Sequence, residues 1–209
     1  IYQGEEIGMT NFPFADVSDF RDIEAIRAFD EMTGKYGLSK EEAMRRLCMH
    51  SRDNARTPMQ WQADMQGEFP HSWIAINPNT SEINVQQQLD DPNSVWALYK
   101  RLISLRNELP VLQGHWAPMC EDQPGVFAYA RWVDDQFLLV LANPSDEPAR
   151  FTIVPEDLPE SWLESARTVN PRLLLSTRYD MRELPRAVLH KADIELDPWE
   201  AGYLLWDRR

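Results

Sequence analysis

Residues 51–61 read SRDNARTPMQW and form the densest polar cluster in the sequence. Arg52 and Arg56 lie four positions apart, and Asp53 stands between them. A guanidinium fork can pair with a carboxylate through two hydrogen bonds and still donate to a hydroxyl group, so this segment could present donors to a sugar. The competing interpretation is an internal ion pair between Asp53 and Arg56 that holds a loop together. Composition alone favours that structural interpretation, because ion pairs of this kind are common.

Two further groups of charged residues are weaker candidates. Glu5 and Glu6 are adjacent, and neighbours in an extended chain point to opposite faces, so they are not expected to flank one glycosidic bond. We expect one of them to pair with an arginine. Arg21 and Glu24 would share one face of a helix at their spacing of three.

Three helices are predicted from apolar spacing and capping signals. Ser39 followed by Glu42 is a capping box, in which each side chain binds the other's backbone N–H, and the helix after it would bury Ala43 and Leu47 among others. A segment over 19–32 has roughly helical spacing. The strongest pattern is the apolar stripe over 93–109, which Asn93 or Ser94 could cap and which Pro110 would end.

After residue 115 the apolar period shifts towards two. Residues 126–132 alternate, 137–141 read as a buried strand, and 134–136 lie between them as a hairpin turn. Further strands are predicted at 150–154, 168–169, 187–189 and 202–206. Short strands separated by Asn, Pro and Asp predict an antiparallel β-sandwich from about residue 115 to the end.

Composition excludes several classes of protein. The formal charge of −13 provides no basic surface for nucleic acid or an anionic membrane, and the longest apolar run, 137–142, is too short to span a bilayer. Cys48 and Cys120 make no disulfide framework, which favours either a reducing compartment, such as the expected cytoplasm, or indifference to redox conditions. The four histidines are scattered and no cofactor fingerprint occurs, so we expect neither a metal nor a cofactor.

The first ninety residues are rich in loops and need support from a scaffold. Loops longer than about 12 to 15 residues are uncommon unless they are functional or supported. The chain opens at Ile1, with no methionine and no signal sequence before it. We therefore expect that the sequence begins inside a longer protein.

Four motifs in a fixed order resemble the C-terminal part of bacterial α-glucosidases of the α-amylase superfamily, glycoside hydrolase family 13. They are YQGEEIGMTN at 2–11, RDIE at 21–24, SRDNARTPMQW at 51–61 and EINV at 82–85. The group includes oligo-1,6-glucosidases, trehalose-6-phosphate hydrolases and sucrose isomerases. The closing segment, 196–205, is similar to the last strand of that family.

The resemblance implies an α/β plus all-β fold. Residues 1–114 would be the end of a catalytic (β/α)8 TIM barrel, with strand 8, a long loop at the catalytic mouth and helix 8. Residues 115–209 would be a C-terminal antiparallel β-sandwich domain.

The resemblance also implies retaining hydrolysis of α-glucosidic bonds, with an Asp nucleophile, a Glu acid/base and a second Asp. Those carboxylates belong to earlier barrel strands, so we expect no catalytic residue in this chain and no activity from it alone. Arg52 matches the family arginine that pairs with an upstream Asp and grips the non-reducing-end glucose. Glu24 matches an acid that lines the neighbouring subsite.

The expected partners are an oligosaccharide or disaccharide substrate and the missing N-terminal portion of the barrel, without nucleic acid or membrane. Isomalto-oligosaccharides, malto-oligosaccharides and trehalose 6-phosphate are not separated by these residues, nor is hydrolysis separated from isomerisation. The alternative functions are a carbohydrate-binding β-sandwich, with a surface tryptophan such as Trp116 or Trp132 holding glucan, and a purely structural module.

Overall fold

The computed structural model describes residues 1–65, 69, 71–153, 158–162, 171–177 and 192–208. The chain divides into two compact units, Ile1–Arg101 and Leu102–Arg209. The described helices are α1 (Ile23–Gly34), α2 (Lys40–His50), α3 (Val85–Leu89) and α4 (Val95–Glu108). The first unit is otherwise made of loops and short 3-10 turns, of which Arg52–Arg56 is one.

Helix α1 begins later than the predicted segment 19–32. The side chain of Asp22 accepts a hydrogen bond from the backbone N–H of Glu24 and so caps the helix, which then runs to Gly34. Asp16 and Asp19 close a separate 3-10 turn with their own capping box. The prediction placed the start four residues early, because two acidic caps lie in succession and only the second opens the α-helix.

Helix α2 confirms its prediction, although the capping box is only half formed. Ser39 Oγ accepts from the backbone N–H of Glu42 at 3.2 Å. The Glu42 carboxylate pairs with Arg45 and Arg46 instead of returning to the backbone of Ser39. The apolar face is buried at Ala43 and Leu47, as predicted.

Helix α4 lies within the predicted range 93–109 and ends before Pro110. Of the two possible caps, Ser94 provides the bond, because its Oγ accepts from the N–H of Ala97 at 3.1 Å. The apolar stripe is only partly covered: Leu105 is buried, whereas Ile103 is 47% exposed.

The second unit contains two antiparallel sheets. Strands β1 to β7 are His115–Met119, Phe127–Trp132, Gln136–Ala142, Ala149–Ile153, Arg172–Ser176, Ala192–Leu196 and Ala201–Asp207. The larger sheet has the order β1-β2-β3-β7-β5, and β4 pairs with β6. Strand β2 alternates as predicted, with Ala128 and Ala130 buried and Phe127 exposed.

Strand β3 is buried on both faces, which explains its uninterrupted apolar sequence. Phe137, Leu139 and Leu141 pack in one cluster that includes Ile194 and Leu196 of β6. Leu138 and Val140 pack in a second cluster, which includes Leu105 of α4 and the short turn after it. The predicted hairpin turn is also present, with the N–H of Val133 donating to the carbonyl of Gln136.

The remaining predicted strands divide into two groups. The segments 150–154 and 202–206 correspond to β4 and β7, although residue 154 is outside the described part. The segments 168–169 and 187–189 lie wholly outside the described residues. Within the residues described, no helix has the length and apolar character needed to cross a membrane.

Candidate functional site

Arg52 and Asp22 form a two-pronged ion pair in the first unit. Arg52 begins a 3-10 turn in which Ser51 Oγ accepts from the backbone N–H of Asp53, and Asp22 is the capping residue of α1. The guanidinium Nε donates to Asp22 Oδ2 at 2.7 Å, and Nη2 donates to Oδ1 at 2.9 Å. Asp22 is buried, whereas 56% of the Arg52 side chain is exposed. The arginine is therefore anchored on a buried acid while its head stays accessible.

Glu24 completes this arrangement. Its carboxylate lies 2.9 Å from Nη2 of Arg52 and its side chain is 75% exposed. The structure thus brings together the two residues that the sequence singled out, Arg52 and Glu24. Glu24 lies two residues after the cap at Asp22, in the first turn of α1, so the cap that starts α1 also places this carboxylate.

The hydrogen bonds between Arg52 and Asp22 shift the pKa of each group in the direction that favours its charged form. The Arg52 guanidinium holds the pKa of the Asp22 carboxyl below its ordinary value of 3.8, and the N–H of Glu24 adds to that effect against the opposing effect of burial. Asp22 and Glu24 in turn raise the pKa of Arg52. Both partners are therefore charged at neutral pH.

One edge of the Arg52 fork remains available. Nε and Nη2 are engaged by the two acids, and among the residues that the structure describes no hydrogen bond is formed by Nη1. A guanidinium has five N–H donors in a fixed plane, so an anchored fork with a free edge can donate to a hydroxyl oxygen.

Asp53, the residue after Arg52, is completely buried. Its Oδ1 accepts from Arg56 Nη1 at 3.0 Å, so the ion pair predicted between Asp53 and Arg56 is confirmed. Its Oδ2 accepts from the backbone N–H groups of Arg21 at 2.7 Å and of Asp22 at 2.9 Å. Segment 51–61 therefore contains both the internal ion pair between Asp53 and Arg56 and, next to it, the candidate sugar-binding residue Arg52.

An exposed tryptophan adjoins the cluster. Trp73 is 60% exposed, and the guanidinium of Arg56 lies 5.6 Å from the centre of its ring. Arg21 Nε donates to the carbonyl of Trp73 at 3.2 Å. The prediction that Arg21 and Glu24 share a helical face is wrong, because Arg21 precedes the cap at Asp22 and lies outside α1.

The adjacent acids Glu5 and Glu6 play a different part from the one expected. Glu5 accepts from the backbone N–H of Tyr2 at 3.0 Å, and Glu6 accepts from that of Gly4 at 2.8 Å. Within the described residues neither of them pairs with an arginine, contrary to the expectation, and each accepts instead from a backbone donor of the same tight turn. Gly4 adopts a φ of 97° in this turn, a conformation that glycine allows at little cost.

Sequence reasoning missed two members of the cluster, Asp22 and Trp73. Asp22 lies inside the RDIE motif and was predicted only as part of a helix, although an acid just before a helix is a capping signal. Trp73 carries no local signal, because its neighbours Arg21 and Arg56 are distant in the sequence. Among the described residues, no group of three or more potential metal ligands occurs.

The family described as alpha amylase, catalytic domain, matches residues 1–114 of the chain. An oligo-1,6-glucosidase from Parageobacillus thermoglucosidasius is 38% identical over 204 residues, which are 96% of this chain and 34% of that protein. A trehalose-6-phosphate hydrolase from Bacillus subtilis is 38% identical over 165 residues, 78% of this chain and 29% of that protein.

A solved structure is similar to this chain over nearly its whole length. The crystal structure of the trehalose-6-phosphate hydrolase from Bacillus licheniformis superimposes with a TM-score of 0.84 at 30% identity, over 99% of this chain and 35% of the other. The chain spans about a third of the length of the curated relatives it matches. The match over more than half of its residues places the chain in the α-amylase family, glycoside hydrolase family 13.

Proposed function

We propose that this chain is the C-terminal part of a retaining α-glucosidase that acts on short oligosaccharides or disaccharides. Isomalto-oligosaccharides, malto-oligosaccharides and trehalose 6-phosphate are the candidate substrates, because the relatives include oligo-1,6-glucosidases and a trehalose-6-phosphate hydrolase. The proposal includes the cytoplasmic location that the cysteine usage favours.

In this proposal residues 1–114 are the end of a (β/α)8 barrel and residues 115–209 are a β-sandwich domain. The family match over 1–114 supports the first assignment. The two antiparallel sheets, which share a core cluster, support the second. The exposed apolar side chains of α4, Val95 and Ile103, support a barrel in which further elements cover that helix.

The observation that carries the proposal is the anchored Arg52 fork beside Glu24. Asp22 fixes the plane of the guanidinium through two hydrogen bonds, so an incoming sugar need not order this side chain. The free edge can donate to a sugar hydroxyl while the exposed Glu24 carboxylate can accept from one. Donor and acceptor side by side suit a neutral, hydroxyl-rich ligand.

The chain's own residues bind and orient the substrate in this account. The nucleophile and the acid/base would come from the preceding barrel strands, as in the enzymes that the sequence resembles. Arg52 would hold the terminal glucose, and Glu24 would line the subsite of the leaving sugar. Positioning of this kind raises the rate because the reacting atoms meet in the right geometry.

The test is Arg52→Ala in the full-length protein that carries this chain, assayed on isomaltose and on a p-nitrophenyl α-glucoside. We expect kcat/KM to fall by on the order of a hundredfold, as when a charged donor to the transition state is removed. Arg46→Ala is the matched control, because Arg46 is 52% exposed and also pairs with one carboxylate. Equal kcat/KM values for both variants would contradict the proposal.

A second candidate function, glucan binding by the second unit, is favoured by one observation. Trp116 and Phe127 are 55% and 57% exposed, and the ring of Tyr129 lies between them at 6.4 and 5.8 Å. Exposed aromatic rings can stack on sugars. In affinity gels with starch or dextran, retardation that Trp116→Ala removes would support this function, and equal mobility with and without glucan would exclude it.

A further inference from the structure

Two segments of the first unit, one around Asp22 and one around Asp53, are held together by hydrogen bonds in which each segment both donates and accepts. Arg52 donates its fork to the carboxylate of Asp22, while the carboxylate of Asp53 accepts from the backbone N–H groups of Arg21 and Asp22. Each segment therefore contributes one buried acid to the other. Asp22 takes part in both sets of contacts. Its carboxylate pairs with the half-exposed Arg52, and its backbone N–H donates to the buried Asp53.

Asp53 is the more enclosed member of this exchange. It is completely buried, and its three donors lie at 2.7, 2.9 and 3.0 Å. With the site's role in sugar binding as its premise, we propose that Asp53 is a positioning residue. It fixes the backbone at Arg21 and Asp22, and so places the Asp22 carboxylate under Arg52 and the Glu24 carboxylate beside it.

The geometry explains how a buried group acts on an exposed one. Asp22 orients Arg52 only if its own backbone is fixed, because a carboxylate moves with its Cα. Its Oδ1 also caps Glu24 N–H at 3.1 Å, so any shift at Asp22 moves the first turn of α1 as well. Loss of Asp53 would therefore loosen the donor and the acceptor of the proposed sugar site together.

The two oxygens of Asp53 have separate partners, which makes the inference testable. Oδ2 accepts both backbone N–H groups, whereas Oδ1 accepts only from Arg56. In Asp53→Asn the amide oxygen can occupy the Oδ2 position and keep both backbone bonds, while the amide nitrogen replaces Oδ1 and gives up Arg56. Arg56 is one-third exposed and can turn to water. Asp53→Ala removes all three bonds.

The experiment measures kcat and KM of the full-length protein on a p-nitrophenyl α-glucoside for Asp53→Ala, Asp53→Asn and Arg56→Ala. We expect Asp53→Ala to raise KM about tenfold, the equivalent of one hydrogen bond to the ligand. Asp53→Asn and Arg56→Ala should stay within about threefold of the wild type, because both keep the backbone bonds. Equal KM values for Asp53→Ala and Asp53→Asn would overturn the inference.

A double-mutant cycle separates positioning from a general loss of stability. In an Arg52→Ala background, Asp53→Ala should raise KM by no more than about threefold, because Arg52 is gone and only the placement of Glu24 can still be lost. Its effect on Tm should be retained in that background. The same tenfold rise in KM with and without Arg52 would overturn the inference while leaving the proposed function intact. An Arg52→Ala variant with wild-type kcat/KM would instead contradict the proposed function.

Asp53→Ser serves in the same cycle if Asp53→Ala does not fold. Its hydroxyl is shorter than the carboxylate and cannot reach both backbone N–H groups, yet it leaves a polar atom in the buried position. We expect the same rise in KM and the same reduction of that rise in the Arg52→Ala background. A wild-type KM for Asp53→Ser would overturn the inference.

Discussion

Replacing Asp22 by asparagine removes one charge from the Arg52 pair while the shape of the side chain is preserved. The asparagine oxygen can take the place of Oδ1, which accepts from both Glu24 N–H and Arg52 Nη2. The amide nitrogen then faces Nε of Arg52, where a 2.7 Å hydrogen bond is lost. A charged hydrogen bond contributes about 1.5 to 3 kcal/mol when it is shielded from water. Since over half of the Arg52 side chain is exposed, we expect a loss of only about 1 kcal/mol at pH 7.

The pH dependence of this loss has a definite sign. The pKa of Asp22 is lower in the folded chain than in the unfolded one, because Arg52 favours the charged form. A lowered folded pKa gives stability that is present above the unfolded pKa, about 3.9, and is lost as the pH falls through the folded value. The difference between the wild type and Asp22→Asn should therefore be constant from pH 7 to 5 and should shrink below about pH 4.

Urea unfolding of the full-length protein that carries this chain, followed by tryptophan fluorescence, measures this difference at neutral and acid pH. Asp30→Asn is the control, because it removes the same charge from the exposed side of α1. We expect the control to match the wild type within about 0.5 kcal/mol. A zero difference for Asp22→Asn at pH 7, or one that grows in acid, would refute the reasoning.

Three further predictions concern the second unit and the gene. In Gly114→Ala the new Cβ would lie 2.2 Å from the carbonyl oxygen of Trp132, so we expect the free energy of unfolding in urea to fall by about 2 kcal/mol. The control Gly34→Ala has open space around its new Cβ and should leave that free energy unchanged. Leu139→Ala empties a wholly buried position in β3 and should cost about 2 to 5 kcal/mol, against under about 1 kcal/mol for Phe127→Ala at an exposed position of β2; calorimetry would test both, and equal losses would contradict the assigned core. Sequencing of the coding region before Ile1 should reveal an open reading frame that encodes the preceding barrel strands, and a stop codon directly upstream would count against a preceding barrel.

The elements that the sequence predicted well are those with a strong local signal. Strand β3 has an unbroken apolar run, and α4 has a stripe bounded by Ser94 and Pro110. The start of α1 was misplaced because Asp16, Asp19 and Asp22 are all capable caps, and local sequence does not rank them. Tertiary contacts decide between them, since the N–H of Asp22 is held by Asp53.

The candidate site was predicted in part, and the missing part is long-range. Arg52 and Glu24 came from the resemblance of two motifs, and the structure joins them at 2.9 Å. The acid that orients Arg52 within the described chain is Asp22, thirty positions before the arginine. Neither spacing nor composition predicts such a contact, because the intervening α1 and α2 bring the two segments together.

The most direct test of the central claim is glucose release from maltose and isomaltose, measured for the 209-residue chain and the full-length protein at equal molar concentration. We expect release by the full-length protein and none by the 209-residue chain, since in the proposed function this chain only binds and orients the substrate and the nucleophile comes from preceding barrel strands. Glucose release by the 209-residue chain alone, or none from the full-length protein on any short α-glucoside, would contradict that expectation.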